Sequence, residues 1–471
     1  MSLAASAQDL CEWTRGKLIR GRRDQAFDST VIDSREVRSG SLFVAIVGPN
    51  HDAHRFVGQV FELGAAGVVI MRDPSSEVSI DVPSESDGFL IQVEDTTLAL
   101  ADLARGHRKS FEGPLIGITG SNGKTTTKDL CAGILDGVGP TLATRGNLNN
   151  NFGVPLTLLS RSESAEHAVI EMGMNHRGEI ATLTAIAEPS IGVVTNIGSA
   201  HIEFLGSREA IAEEKGDLLA ALPATGTAVL GRDDPVAFAL AKRTEATIMS
   251  FGRDPAADLR ASGIEAQSDG TFTFRIETPF GLEEIRVPGL AETIVENALA
   301  AAGGALAAGA SLQAVATGLE NHPGVPGRMQ PRAIANDVLL IDDSYNANPQ
   351  SMRSALETLA RLETSGHRLA VLGEMGELGD ERENAHREAG RLAGSLKIDA
   401  LYLIGPSAET VAAGALESAL AEDRIYIATD RESLLRKLRE DITKGDRVLI
   451  KGSRAARLET IIEGLEKGSP Q

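Results

Sequence analysis

The sequence predicts an α/β protein of three domains: a small α/β N-terminal domain, a central domain with a mostly parallel, P-loop-type sheet, and a C-terminal Rossmann-like domain. Three observations predict it. Short apolar runs alternate with helical patterns, the rhythm of parallel strands joined by crossover helices. A glycine-rich loop, GITGSNGKTTTK at 117–128, separates an apolar run from a helical pattern. Glu112-Gly113-Pro114 and the Pro323–Gly327 stretch (PGVPG) interrupt the rhythm, dividing the chain into residues 1–112, 113–325 and 326–471. A length of 471 residues agrees, since it suggests about three domains.

In the first segment, residues 42–47, 67–71 and 89–93 read as strands and 56–63 as a helix. Asp95 then offers a cap for a helix running towards Arg108. In the second, buried-type strands recur at 168–172, 191–195 and 228–230. Residues 271–277 and 283–287 alternate polar and apolar around Pro279-Phe280-Gly281, which reads as an antiparallel hairpin appended to the sheet. An alanine-rich helix follows at 297–308. The third segment resumes the rhythm, with strands at 338–341, 369–372, 400–404, 425–427 and 448–450. Asn348-Pro349 suits a capped helix start.

Hydrophobic content of 42% and charged content of 24% are ordinary for a soluble globular protein. No apolar run is long enough to cross a bilayer, so no membrane partner is expected. The opening residues MSLAASAQDLCEWTRG lack the basic start and apolar core of a signal peptide. The two cysteines, Cys11 and Cys131, give neither a disulfide framework nor zinc spacing, which fits a reducing cytoplasm. A net charge of −20 argues against nucleic acid held on a general basic surface. An anionic ligand would have to be drawn by local cations, loop N–H groups and bound metal.

Five clusters stand where a strand ends and a helix is about to begin, the edge at which open α/β sheets bind ligands. The first is Gly120-Ser121-Asn122-Gly123-Lys124-Thr125, continued by Thr126. Glycine lets loop N–H groups approach phosphate oxygens, Lys124 adds charge, and the Thr125 hydroxyl can hold magnesium. Ile118 stands where the strict G-x-x-x-x-G-K-[ST] pattern has its first glycine. The second cluster, with Asn147, Asn149, Asn150 and Asn151, reads equally as a hydrogen-bonding loop or a turn-rich connector. In the third, Glu171 could reach a phosphate-bound magnesium or simply cap a helix. In the fourth, Thr195-Asn196-Ile197-Gly198-Ser199-Ala200-His201, the histidine follows a buried strand and could be structural or a ligand. Nearby Lys215, in Glu213-Glu214-Lys215-Gly216-Asp217, reads by itself as part of a solvated charged helix face. The fifth, Asp342-Asp343-Ser344-Tyr345-Asn346-Ala347-Asn348, with Arg328 upstream, could meet a nucleotide from across a cleft or form a capped helix start.

Together these motifs resemble the Mur ligase family, the ATP-dependent amide-forming enzymes of bacterial cell-wall precursor synthesis. The resemblance spans essentially the whole chain, through TGSNGKTTTK, GNLNNNFGVP, EMGMNHRGEI, TNIGSAHIEFLGS, GVPGRMQ and DDSYNANP. VLGEMGELGD, AHREAG and VLIKGSRAARLE are most similar to the branch that adds D-alanyl-D-alanine to UDP-N-acetylmuramoyl-tripeptide. The resemblance implies ATP and Mg²⁺ as cofactors, those two molecules as substrates, and a cytoplasmic monomer. It implies UDP contacts from the first domain at Ser34, Arg35, Leu42 and Gly48, and phosphate contacts at Gly120–Thr126 with Lys124 central. The metal set it implies is Thr125, Glu171, His201 and Lys215, the last as a carbamate, which reverses the charged-face reading. Asn297 matches an adenine-side contact, although this chain has Gly289–Asn297 (GLAETIVEN) where the family often has G-x-H-N-x-x-N. Arg328 and Asp343 match nucleotide contacts from the closing domain, whose Tyr345, Asn346 and Asn348 belong to the acceptor or closing side. Folylpolyglutamate synthase is a rival with the same ATP half, but it lacks a UDP-sugar domain. A P-loop switch ATPase would need no carboxylate–histidine–lysine set.

Overall fold

A computed structural model describes residues 5–71, 86–198, 200–418 and 420–468. Ser199, within the fourth cluster, lies outside them. The described part contains three large sheets of five, nine and six strands. No helix among the described residues is long and apolar enough to cross a membrane.

The first sheet runs in the order Lys17–Arg20, Phe89–Val93, Gly67–Met71, Ser41–Val44, Ser29–Val31. Only its first pair is antiparallel. The strand read at 42–47 ends at Val44, and the chain then turns outward. The expected helix begins at Thr96 and ends at Arg108, with Asp95 accepting from the Thr97 and Leu98 amides. This helix is bound to the central domain. Its Leu100, Leu103 and Ala104 share one apolar core with Ile180, Leu183 and Ile186. Arg108 donates to the Ala187 and Glu188 carbonyls at 2.7 and 3.0 Å, satisfying the open end of the Glu179–Ala187 helix.

The central sheet places Leu115–Thr119 between Ile191–Val194 and His167–Glu171, all three parallel. Every residue of these strands is buried. Alternation sends Ile116 and Ile118 to the core beneath the Lys124–Asp136 and Thr293–Ala307 helices, and Leu115 to the core on the opposite face. The phosphate loop, Glu171 and Thr195-Asn196 therefore emerge side by side at one sheet edge. The expected hairpin is present as Thr271–Thr278 and Gly281–Pro288. Thr247–Gly252 and Leu259–Ala266, unread in the sequence, link it to the parallel strands. Leu259–Ala266 carries Gly263 at φ +62° and a register shift, which blur its alternation.

The third sheet follows the order Gln330–Ile334, Val338–Asp343, Arg447–Lys451, Arg368–Leu372, Ala400–Ile404, Ile425–Ala428. Its five later strands are parallel, and Gln330–Ile334 lies antiparallel at the edge. That edge strand escapes a sequence reading because it contains Pro331, tolerated only where a ladder N–H is dispensable. Asn348 caps the helix Pro349–Arg361 as expected, accepting from the Ser351 amide at 2.9 Å.

The helices Arg382–Ser395 and Ala408–Glu417 cross at two glycines. A Cβ at Gly390 would stand 1.9 Å from the Val411 carbonyl oxygen, and one at Gly414 would stand 2.0 Å from that of Arg387. Alanine favours a helix over glycine by about 1 kcal/mol, but the obstacle here is backbone and cannot swing aside. Gly390→Ala should therefore lower the unfolding free energy by about 1–3 kcal/mol. A urea titration in which the variant equals or exceeds the parent would refute this close packing.

Candidate active site

The central and C-terminal sheet edges face one another across a cleft of about 1170 Å³, larger than the ~300–1,000 Å³ of ordinary small-molecule pockets. Its floor is the phosphate loop. Two glycines there have no room for a side chain: a Cβ at Gly120 would lie 1.9 Å from Thr195 Oγ1, and one at Gly123, at φ +78°, would lie 2.1 Å from Asn297 Oδ1. The next strand's loop braces this one. The Ser121 amide donates to the Asn196 carbonyl, the Asn122 amide to Asn196 Oδ1, and Thr195 Oγ1 to the Asn122 carbonyl at 2.6 Å. Ser121 Oγ accepts from the Gly198 amide. Thr195 and Asn196 open the fourth cluster but had no assigned role there; they are the scaffold of the phosphate loop.

Lys124 opens the helix and folds back over the loop, donating to the Gly120 and Ser121 carbonyls at 2.8 and 3.4 Å. Burial holds its pKa below the ordinary lysine value, with Glu171 opposing that shift and Arg328 adding to it. Thr125 Oγ1 accepts from Arg328 of the C-terminal part at 3.3 Å, and Thr126 also lines the cleft. Asn297 sits over Gly123 and accepts from Thr127 Oγ1 at 3.5 Å, so its carboxamide touches the helix start at the loop.

The asparagine-rich stretch resolves as a hydrogen-bonding loop: Asn149 Nδ2 donates to Glu171 Oε1 at 2.7 Å. Glu171 is buried, and its Oε2 has no partner. Lys215 corrects the charged-face reading. It is 0% exposed and its Nζ has no hydrogen-bond partner, because the helix Arg208–Ala220 turns that face into the core. Burial, reinforced by the charge of Lys124, drives its pKa well below the ordinary lysine range. The adjacent Glu214 is also buried and accepts from the Gly178 and Ile180 amides. Glu213 alone of that pair is exposed. His201, at φ +65°, has its Nδ1 2.6 Å from Glu377 of the opposite domain. Among the described residues no three His, Cys, Asp or Glu side chains converge closely enough to hold a metal by themselves.

Across the cleft, Asp343 is fixed rather than free. Lys451 Nζ lies 2.6 Å from its Oδ2, and the Met329 amide donates to Oδ1 at 3.2 Å. Lys451, paired with Asp343 in strand register, also donates to the Asn346 carbonyl and was not singled out by sequence. The Arg328 guanidinium lies over the Tyr345 ring, 4.1 Å from its centroid. Asn348 Nδ2 donates to Asn122 Oδ1 at 2.7 Å, and Gln350 Oε1 accepts from Asn122 Nδ2 at 2.9 Å. The four residues of the N-terminal domain stand apart, none of them lining this cleft. Ser34 is buried in a short turn. Arg35 is exposed and forks onto Asp33, whose carboxyl it holds down at about 2. Leu42 is fully buried in the core, so its side chain reaches no ligand, and the Gly48 amide donates to the His51 carbonyl.

The Mur ligase middle domain pattern matches residues 118–305, and the Mur ligase, glutamate ligase domain pattern matches residues 327–454. The chain is 36% identical over 449 residues to the UDP-N-acetylmuramoyl-tripeptide--D-alanyl-D-alanine ligase of Escherichia coli (strain K12), covering 94% of this chain and 95% of that one. The chain belongs to the Mur ligase family. Among solved Mur ligases, MurF from Acinetobacter baumannii superposes with a TM-score of 0.88 at 32% identity over 99% of both chains. The MurF ligase of Thermotoga maritima in complex with ADP gives 0.80 at 31% identity, over 93% of this chain and 97% of that one. Folylpolyglutamate synthase of Mycobacterium tuberculosis, at 19% identity and a TM-score of 0.62 over 80% of this chain and 95% of that one, shares the fold alone.

Lys215 carries a pH signature that separates it from a surface lysine. Its folded pKa lies below the unfolded value, so between the two the unfolded chain holds a proton that the native chain does not. Stability should rise with pH through that window, up to the ordinary lysine value of about 10.4. In CO₂-stripped buffer Lys215→Met should raise the urea midpoint at neutral pH and flatten this slope. An unchanged slope would place the titrating group elsewhere.

Proposed function

We propose that this Mur ligase joins D-alanyl-D-alanine to UDP-N-acetylmuramoyl-tripeptide, converting ATP to ADP and phosphate. The supporting observation is a cleft in which a braced phosphate loop faces a second nucleotide-type sheet, in a chain similar over nearly its full length to ligases of that name. Residues 1–112 bind the UDP end, 113–325 bind ATP, and 326–471 close over it. On this reading Ser34, Arg35, Gly48 and the main chain at Leu42 serve the UDP moiety.

The tripeptide carboxylate is a poor electrophile. One of its oxygens bonds to the γ-phosphorus of ATP as the bond to the ADP oxygen breaks, giving an acyl phosphate. The neutral amine of the dipeptide then attacks the carbonyl carbon. The amine proton is lost, the C–O bond to phosphate breaks, and the amide remains. Such transfers are catalysed chiefly by positioning and by neutralising charge. Lys124 and the amides of Ser121–Thr125 serve the triphosphate, and Arg328 reaches it from the other domain. Asn297 orders the loop end on the nucleoside side. Asp343 holds Lys451 and the Met329 backbone in place, while Tyr345, Asn346 and Asn348 shape the closing wall. Docking of that wall keeps water from the acyl phosphate.

The residues present fit a magnesium site. Glu171 Oε2 and Lys215 Nζ are buried without partners beside the loop that carries Thr125, and His201 lies at the same edge. Thr125, Glu171, His201 and a carbamate of Lys215 would hold the ion or ions, which supply neutralising charge at the phosphates. The depressed pKa suits Lys215 to that modification, because only a neutral amine attacks CO₂. The chain is read as a monomer on its resemblance alone, and its nucleotide-linked substrates support a cytoplasmic location.

Lys124→Ala should lower turnover by roughly 10²–10³-fold while leaving the circular dichroism spectrum unchanged, since removing one such group costs about 3–4 kcal/mol of barrier. Near-normal turnover would remove Lys124 from the phosphate site. Phosphate release from ATP should require both UDP-N-acetylmuramoyl-tripeptide and D-alanyl-D-alanine. Release in the absence of both would instead mark a switch ATPase.

A further inference from the structure

The resemblance gives the Gly376–Gly379 segment (GELG) no task, yet it reaches across the cleft. Gly376, Glu377 and Leu378 line the cavity, and Glu377 places Oε2 2.6 Å from Nδ1 of His201, an ion-pair distance at which the ring N–H is not aligned as a hydrogen bond. Both residues sit at positive φ, +60° for Glu377 and +65° for His201. Non-glycine residues are strained there, and such a conformation persists only where surrounding contacts dictate it. Those contacts are visible. His386 is buried; its Nδ1 donates to the Arg382 carbonyl, and its Nε2 accepts from the Met375 amide at 2.9 Å. Glu374 is held by Arg382 and by both the amide and hydroxyl of Ser407. Met375 and Leu378 are buried on either side of Glu377. Gly379, at φ +51°, leaves a Cβ position only 3.4 Å from the Glu203 side chain, so the segment rests against the helix that His201 begins.

On the same wall, Asp343 is bound by Lys451 of its own domain. Glu377 instead meets a residue of the facing domain, and its charge is felt by Lys124. A histidine that serves a metal usually gives its other ring nitrogen to a carboxylate, which fixes the ring.

We propose that Glu377 is a positioning residue: from the closing domain it orients the His201 imidazole, so the nucleotide–metal site is completed only when the C-terminal sheet has docked. The segment held by His386 and Glu374 presents that carboxylate ready-made. The inference rests on reading the cleft as the ATP site and adds a coupling between domain docking and that site.

Calorimetric titration of the full chain with the ATP analogue AMPPCP, at several Mg²⁺ concentrations, tests it. Glu377→Ala should raise the Mg²⁺ concentration needed for half-maximal analogue binding by about tenfold, the lower end of the 10–100-fold typical of such supporting carboxylates. Its thermal midpoint should stay at the parent value. Glu377→Gln keeps an oxygen acceptor and should recover most of the loss. In a His201→Ala background, Glu377→Ala should have no further effect, because its partner is gone. Additive losses would overturn the inference, as would tighter binding by Glu377→Ala, the sign expected if this carboxylate merely repels phosphate. Failure of the parent chain to bind AMPPCP would overturn both the inference and the ATP-site reading.

Discussion

The constraint on which this structure depends is desolvation of two lysine amines at one sheet edge. Lys215 is fully buried there with its amine unpartnered, Lys124 folds over the phosphate loop, and Arg328 reaches them from the facing domain, in a chain whose net charge is −20. Arg328 pushes the Lys124 pKa down, Lys124 does the same to Lys215, and burial opposes the charged form of both lysines. Glu171 and Glu377 offset part of this at Lys124. An uncompensated buried charge is among the costliest features a fold can carry. Such a grouping becomes favourable when an anion of several charges enters, and a triphosphate is such an anion. The acidic remainder of the surface leaves that edge as the place where an anion gains.

Topology brings the grouping about. Parallel strands end at the same edge, and the order Ile191–Val194, Leu115–Thr119, His167–Glu171 sets the bracing loop and the carboxylate on either side of the phosphate loop. The same logic operates opposite, where Val338–Asp343 and Arg447–Lys451 pair in parallel and bring Asp343 level with Lys451. That pair tolerates burial because each partner keeps a further bond, Asp343 with the Met329 amide and Lys451 with the Asn346 carbonyl. It fixes the loop that follows Asp343, from which Asn348 reaches Asn122 of the central domain.

Much of this was legible in the sequence because it depends on local rules. The strands beside the phosphate loop are continuous apolar runs, since both faces are covered, and Asp95 and Asn348 declare their helices by capping chemistry. Lys215 was legible only through resemblance. Its neighbours Glu213 and Asp217 suggest a solvated face, and nothing local reveals that the helix turns Glu214 and Lys215 inward. Leu42 misled in the opposite direction, because a matched pattern position need not present its side chain. Thr195, Asn196, Lys451 and Glu377 act through partners distant in sequence, and single-chain spacing carries no record of such pairings. The edge strand with Pro331 and the strand with Gly263 were lost because each breaks the pattern that would announce it.

The two outer domains are joined to the centre by different physics, and this determines which of them can move. The N-terminal domain shares a continuous apolar core with the central one, through Leu100 and Leu103 on one side and Ile180 and Leu183 on the other. Separating them would expose that surface at about 25 cal/mol per Å². The C-terminal domain has cores of its own, which among the described residues Leu290 alone joins from the central part. Polar pairs span the junction: Asn348 and Gln350 with Asn122, Arg328 with Thr125, Glu377 with His201, and Arg361 with Glu292. Water can replace such bonds at a net cost of about 0.5–1.5 kcal/mol each, less for exposed ion pairs. The connecting segment supplies the backbone freedom, with Gly324 at φ +81° and Gly327 at φ +71°. Of the two junctions, the C-terminal one therefore costs less to separate, while the shared apolar core binds the first domain to the phosphate-loop sheet.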